Sequence, residues 1–147
     1  MRHAKAEERD STLYPDDSKR PLSQEGMEQA KKAAEGLKRA GLKADRIFSS
    51  PYKRAKQTAE IVASTIGYTG KLIFTDAICP DSDFEGLKKL ILNCKDGESV
   101  LFVSHEPFLG YSAAEILTGR PDTPLHFKTA AICRLEITSR DPLRGKA

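Results

Sequence analysis

The sequence predicts an α/β fold of three layers, α/β/α, with a mostly parallel central sheet. Three observations point there. Strand-like runs alternate with segments of helical periodicity along the chain. One run, SVLFVSH, is continuously hydrophobic at its centre, as a strand covered on both faces must be. A length of 147 residues suits one core, giving a single domain over 1–147.

The elements follow in order. EERDSTLYPDDSKRP has no apolar period and carries Pro15 and Pro21, which makes it a loop after the opening Arg2-His3. LSQEGMEQAKKAAEGLKRAGL sets Met27, Ala30, Ala34 and Leu37 at helical spacing, with Ser23 as cap and Gly41 at the end. Gly26 relieves packing in its first turn. DRIFSS is a short buried strand stopped by Pro51, and YKRAKQTAEIVASTIG is a helix with Ala55, Ala59, Val62 and Ile66 inward and Gly67 as terminator. KLIFT reads as a strand, DAICPDSD as a loop and FEGLKKLILNC as a partly apolar helix. After SVLFVSH, EPFLGYSAAEILTG gives a helix from near Pro107 to Gly119. AAICRLEI alternates Ala131, Cys133, Leu135 and Ile137 against Ile132, Arg134 and Glu136, the pattern of an edge strand with one wetter face. The charged tail SRDPLRGKA is expected to be mobile.

Composition excludes several functions. No apolar run approaches the roughly 18 residues of a membrane span, and residues 1–20 lack the apolar stretch of a secretory signal, so a cytoplasmic protein is expected. A net charge of +3 with interspersed signs gives no nucleic-acid footprint. Cys79, Cys94 and Cys133 are odd in number and lack CxxC spacing, which argues against a disulfide frame or a zinc site. They read as small buried or partly buried residues.

Three polar sites fall at predicted strand ends: Arg2-His3, Arg54 in SSPYKRAKQTAE, and His105 in VSHEP. Parallel sheets bind ligands beyond the carboxyl ends of their strands. Guanidinium groups grip phosphate oxygens in bidentate fashion, and imidazole serves as nucleophile or donor. Two histidines among arginines on one rim therefore suggest an anion pocket.

RHAKA, DSKRPLSQEG, SSPYKRAKQTAE, VSHEPFLG and the closing FKTAAICRLEI together resemble the histidine phosphatase superfamily, phosphoglycerate-mutase-like, and within it the small SixA-type phosphohistidine phosphatases. The similarity runs over nearly the whole chain in the family's order. It implies that His3 is the nucleophile taking the phosphoryl group, that Arg2 and Arg54 hold its oxygens, and that His105 completes the pocket. Arg20 in DSKRPL matches a position near the phosphate and joins the substrate-binding set. No metal and no cofactor are implied. In the family the RH pair follows an apolar run forming the first, central strand, where this chain has only Met1. A truncated first strand is thus expected, with a natural start upstream favoured over an impaired copy because the other motifs are intact.

Phosphoryl transfer depends on positioning and on neutralising the equatorial oxygens, which cationic side chains can supply. His3 must attack as neutral imidazole, and Arg2 and Arg54 should lower its pKa. Relatives acting on alkyl phosphates use a carboxylic acid after the third motif-bearing strand. Here TDAICPDSDFEG offers Asp76, Asp81, Asp83 and Glu85 without matching the acid motif. A phosphohistidine needs less help, because its imidazole leaving group has a pKa of about 6.5. The resemblance and the short chain together favour a protein-borne phosphohistidine as partner and a monomeric enzyme. A small-molecule phosphomonoesterase and an inactive phosphate-binding module are the alternatives. His126 reads as a structural or exposed histidine, and Lys31, Lys32, Lys38 and Arg39 as solvated helix surface.

Overall fold

The computed structural model describes residues 1–147. Three parallel strands form the sheet: β1 (Arg46–Ser49) lies between β2 (Ile73–Phe74) and β3 (Val100–Val103). Four helices cover it: α1 (Gln24–Arg39), α2 (Lys53–Ile66), α3 (Phe84–Leu92) and α4 (Phe108–Thr118). One core gathers Ala30, Ala34 and Leu37 of α1 with Ala55, Ala59 and Val62 of α2 against Ile47 and Val103. A second packs Leu87 and Ile91 of α3 with Phe108 and Ile116 of α4 around Phe48. Small residues on α1 and α2 let those helices approach each other and the sheet closely. The larger side chains of α3 and α4 fill the other layer, giving the predicted α/β/α arrangement.

The helix boundaries follow local chemistry. Ser23 caps α1 by accepting from Gly26 N–H, Asp83 caps α3 by accepting from Gly86 N–H, and Gly67 and Gly119 end α2 and α4 in the left-handed conformation. Gly26 lies on the buried face of α1, where a Cβ would stand 1.8 Å from the carbonyl oxygen of Lys5. That approach displaces the predicted Met27, which is 39% exposed, from the apolar stripe.

Residues 1–4 occupy a strand position beyond β3. Arg2 bridges Ser104 in parallel, His3 N–H donates to Ser104 C=O at 2.9 Å, and Ser104 N–H donates to Met1 C=O at 3.0 Å. On their other side Arg2 N–H donates to Ala131 C=O at 3.0 Å, and Ala130 N–H to His3 C=O at 3.2 Å. The amino group of Met1 donates to Phe102 C=O at 2.8 Å, and its burial lowers its pKa from 8.0 to about 6.

Two expectations are corrected at the C-terminal end. The alternating segment does not form a strand along its length: residues 132–135 make no backbone hydrogen bond, and β4 begins only at Glu136. Alternation signals one buried face, but a strand also needs a neighbour to pair with. The tail is also not free, because β4 (Glu136–Arg140) pairs antiparallel with β5 (Leu143–Lys146) and Leu143 is buried in the second core. No helix is long and apolar enough to cross a membrane. The three cysteines are free and half-buried.

Candidate active site

The site is built where the ends of β1 and β3 meet residues 1–4. Ala4 N–H donates to Thr58 Oγ1 at 3.1 Å, and the Thr58 hydroxyl donates to Arg54 C=O at 2.7 Å. Those two bonds tie the opening residues to the first turns of α2. Buried Arg54 is thereby carried beside His3, its Nε 3.3 Å from His3 Nε2. The His3 ring is oriented from its other side. Its Nδ1 lies 2.7 Å from Ala4 C=O, which can only accept, so Nδ1 carries the proton and Nε2 holds the lone pair.

His105 follows Ser104 at the end of β3 and is 1% exposed. Its ring centroid is 4.9 Å from that of His3 and 5.1 Å from Tyr52, which meets it edge-on. Neither ring nitrogen has a hydrogen-bond partner, and neither does the buried Nε of Arg2. Buried polar atoms normally find partners, so a cluster of unpaired nitrogens points to a ligand. Arg2 is anchored through Nη1, which donates to Phe127 C=O at 2.6 Å. Arg20 is tied down by Glu7 C=O at 2.6 Å and by Asp17 at 2.9 Å.

Burial is the first cause holding both imidazoles neutral. His3 is lowered from 6.5 to about 4 by desolvation, with further lowering by the charges of Arg54, Arg2 and Arg20 and a partial offset from the Ala4 hydrogen bond. His105 is lowered to about 2 by desolvation, then by His3, Arg54 and Arg2. The arginines thus contribute as expected, but less than removal from water.

All five predicted residues, Arg2, His3, Arg20, Arg54 and His105, fall in this region. None of the four candidate acids hydrogen-bonds either histidine: Asp83 caps α3, Glu85 pairs with Lys88 at 3.4 Å, Asp76 lies near Cys79, and Asp81 is exposed. His126 is exposed, as are Lys31, Lys32, Lys38 and Arg39.

A model of the histidine phosphatase superfamily (branch 1) matches residues 1–77. The phosphohistidine phosphatase SixA of Escherichia coli (strain K12) is 33% identical over 124 residues, 82% of this chain and 75% of that protein. The chain belongs to the histidine phosphatase superfamily. An uncharacterised protein of a Picosynechococcus species is 32% identical over 129 residues, 86% of this chain and 77% of its own. A structure of the protein histidine phosphatase SixA complexed with tungstate superposes with a TM-score of 0.87 at 29% identity, covering 99% of this chain and 90% of that one. A mycobacterial glucosyl-3-phosphoglycerate phosphatase, at 16% identity and a TM-score of 0.72 over 99% of this chain and 93% of its own, shares the fold.

In this histidine phosphatase, three residues that the sequence did not single out also border the site. Asp17 holds Arg54 twice, through its carboxylate at 3.0 Å and its backbone carbonyl at 2.8 Å, while its carboxylate also binds Arg20. Burial would raise its pKa, but the guanidinium groups of Arg20 and Arg54 outweigh that and hold it below the usual carboxylate range. The spacing of three from Arg20 within DDSKRP was the available signal. Glu106, beside His105, has a buried carboxylate oxygen without a partner, and burial raises its pKa. Tyr52 lies under Arg54, its ring 5.0 Å from the guanidinium carbon.

Proposed function

We propose that this phosphatase removes the phosphoryl group from a protein phosphohistidine through a covalent phospho-His3 intermediate. The observation that carries the reading is the nucleophile's geometry. Nε2 of His3 presents a lone pair beside Arg54, while Nδ1 is committed to the Ala4 carbonyl. In the first step Nε2 attacks phosphorus, and the bond from phosphorus to the substrate's imidazole breaks. The His3 ring retains its Nδ1 proton, and the substrate's imidazole leaves neutral, carrying its own ring proton. Nitrogen exchanges for nitrogen, and an imidazole leaving group with a pKa of about 6.5 needs no strong acid to depart. Arg2, Arg54 and His105 face the transferring oxygens, and Arg20 supports Arg54 through Asp17. In the second step water attacks phosphorus, the P–Nε2 bond breaks, and the water's proton leaves with orthophosphate.

Three further points support this reading. The unpaired nitrogens of Arg2 and His105 match the needs of a tetrahedral oxyanion. Tungstate, an oxyanion of that class, is bound by the related SixA phosphatase. The acids after β2 make no hydrogen bond to the histidine pair, which suits an imidazole leaving group better than an alkoxide.

The test is incubation with a phosphotransfer domain carrying labelled phosphohistidine, followed by rapid quenching. The expected result is acid-labile, alkali-stable label on His3 that decays as orthophosphate appears. Orthophosphate released with no label on His3 at any quench time would overturn the covalent route. Turnover of p-nitrophenyl phosphate with none of the protein substrate would overturn the substrate class.

A further inference from the structure

The two histidines are held in different ways. The His3 ring is tethered on both sides, by Ala4 C=O at 2.7 Å from Nδ1 and by Arg54 at 3.3 Å from Nε2. His105 has no such tether, since neither of its ring nitrogens has a hydrogen-bond partner. Its backbone is fixed, with the C=O accepting from Leu109 N–H at 3.0 Å, but the torsion that turns an imidazole about its stem is broad and two-fold. Burial keeps the ring neutral, so only one of its nitrogens can donate to an oxyanion. A half-turn would put a C–H where that N–H should stand. Packing must therefore set the orientation.

Two rings lie close enough to do so. The His3 ring is 4.9 Å away between centroids, tilted by 58°, and the Tyr52 ring is 5.1 Å away, inclined by 66°. His3 changes when it takes the phosphoryl group, which leaves Tyr52 as the constant wall. The place of Tyr52 in the chain is itself informative. It is the N-cap of α2, a position that favours Ser, Thr, Asp or Asn because their side chains accept from the first free amides. Tyr52 makes no side-chain cap bond. Its backbone is nonetheless secured: the N–H donates to Ser50 Oγ at 3.3 Å, and the C=O accepts from Ala55 and Lys56 N–H at 2.9 and 3.0 Å.

The ring lies 5.0 Å from the Arg54 guanidinium carbon, within cation–π range. Arg54 is itself immobilised. Its three guanidinium nitrogens are held by His3 Nε2, by Asp17 C=O at 2.8 Å and by the Asp17 carboxylate at 3.0 Å. A continuous set of contacts thus runs from Asp17 through Arg54 and Tyr52 to His105. Arg54 stays in place without Tyr52, whereas His105 has no other fixed wall among these groups.

We propose that Tyr52 is the positioning residue for His105: its ring, clamped by Arg54, turns the imidazole so that the protonated nitrogen faces the bound oxyanion. The inference rests on His105 donating to the oxyanion, as in the reaction proposed above, and on neither the substrate class nor the covalent step.

The test uses tungstate as probe, its affinity measured calorimetrically on the 147-residue chain. Tyr52→Phe keeps the ring and should bind within about twofold of wild type, while Tyr52→Leu should weaken binding about five- to tenfold, the scale of one aromatic contact. His105→Ala should also weaken binding, and in that background Tyr52→Leu should change it by less than about twofold. The imidazole ¹H–¹⁵N correlations of His105 should hold their positions in Tyr52→Phe and broaden or double in Tyr52→Leu, with both melting curves close to wild type. Tyr52→Met takes the place of Tyr52→Leu throughout if the latter is unfolded. Wild-type affinity in Tyr52→Leu beside a weakened His105→Ala would overturn the positioning role alone. Equal loss from Tyr52→Leu in both backgrounds would overturn it as well, by showing that Tyr52 acts on the anion without His105. A loss in Tyr52→Phe as large as in Tyr52→Leu would assign the effect to the hydroxyl and sink the packing argument. Unchanged affinity in His105→Ala would remove the donor role of His105, and this inference with it.

Discussion

The two ends of the interface between β3 and residues 1–4 are opposites. At the rim, Ser104 and His3 complete their backbone bonds, and the groups left unpaired are side-chain nitrogens of Arg2 and His105. At the other end, the amino group of Met1 meets Phe102 C=O at 2.8 Å among apolar side chains. The buried side-chain atoms without a partner, on Arg2, His105 and Glu106, all lie at the rim. Unpaired side-chain nitrogens held by a finished backbone suit a small anion, whereas apolar packing with its polar atoms paired serves only to hold the opening residues in place.

The largest effect belongs to the rim. His3→Asn keeps a similar polar shape and removes the proposed nucleophile, so kcat on a phosphohistidine carrier should fall by at least about 10³-fold. Amide hydrogen exchange at Val100 and Phe102 should remain as in wild type, and a parallel change there would break the separation. Arg54→Lys replaces a forked donor beside His3 and Asp17 with a point charge. A loss of roughly 10²-fold in kcat/KM is expected, measured on the same carrier.

Titration separates the ends by pH window. The folded pKa values of His3, about 4, and His105, about 2, lie below the ordinary 6.5. On acidification the unfolded chain binds these protons first, so the stability contribution is complete above about 6.5 and declines as pH falls toward 4. The slope is at most about 1.4 kcal/mol per pH unit for each imidazole, read from urea unfolding, and His3→Asn should remove one share. At the other end the Met1 amine falls from 8.0 to about 6, so its contribution declines as pH falls from 8 to 6. Nα-acetylation should flatten that upper window alone. The smallest effect belongs to neither end: a Cβ at Gly36 in α1 meets nothing within 4 Å, so Gly36→Ala should stabilise by about 0.5–1 kcal/mol and leave both regions unchanged.

The rim was legible in the sequence because phosphate chemistry restricts residue types, and Arg2, His3, Arg54 and His105 stand at strand ends or in the first turn of the helix that follows. Asp17 was not, since an acid in a loop of mixed charge looks like ordinary solvated surface until Arg54 is seen beside it. Helix periodicity gave α1 through α4, but it assigned Met27 to a face that the Lys5 carbonyl reserves for Gly26. Residues 130–137 were hardest to read. Alternation in AAICRLEI reported correctly that one face is turned inward, yet pairing depends on a neighbour distant in sequence. The tail failed for a related reason: among its charges only Leu143 is firmly buried, and that single side chain helps dock β5.

The guanidinium cluster around Asp17 has a consequence for the end of the catalytic cycle. In the proposed reaction the donors that neutralise the transferring phosphoryl group grip free orthophosphate as well, so turnover at saturation should be governed by how fast the product escapes. Asp17 remains as a resident counter-ion for Arg54 and Arg20 when the pocket empties, which lowers the cost of release. Inorganic phosphate should therefore inhibit competitively, and Asp17→Asn should make that inhibition tighter while slowing steady-state turnover.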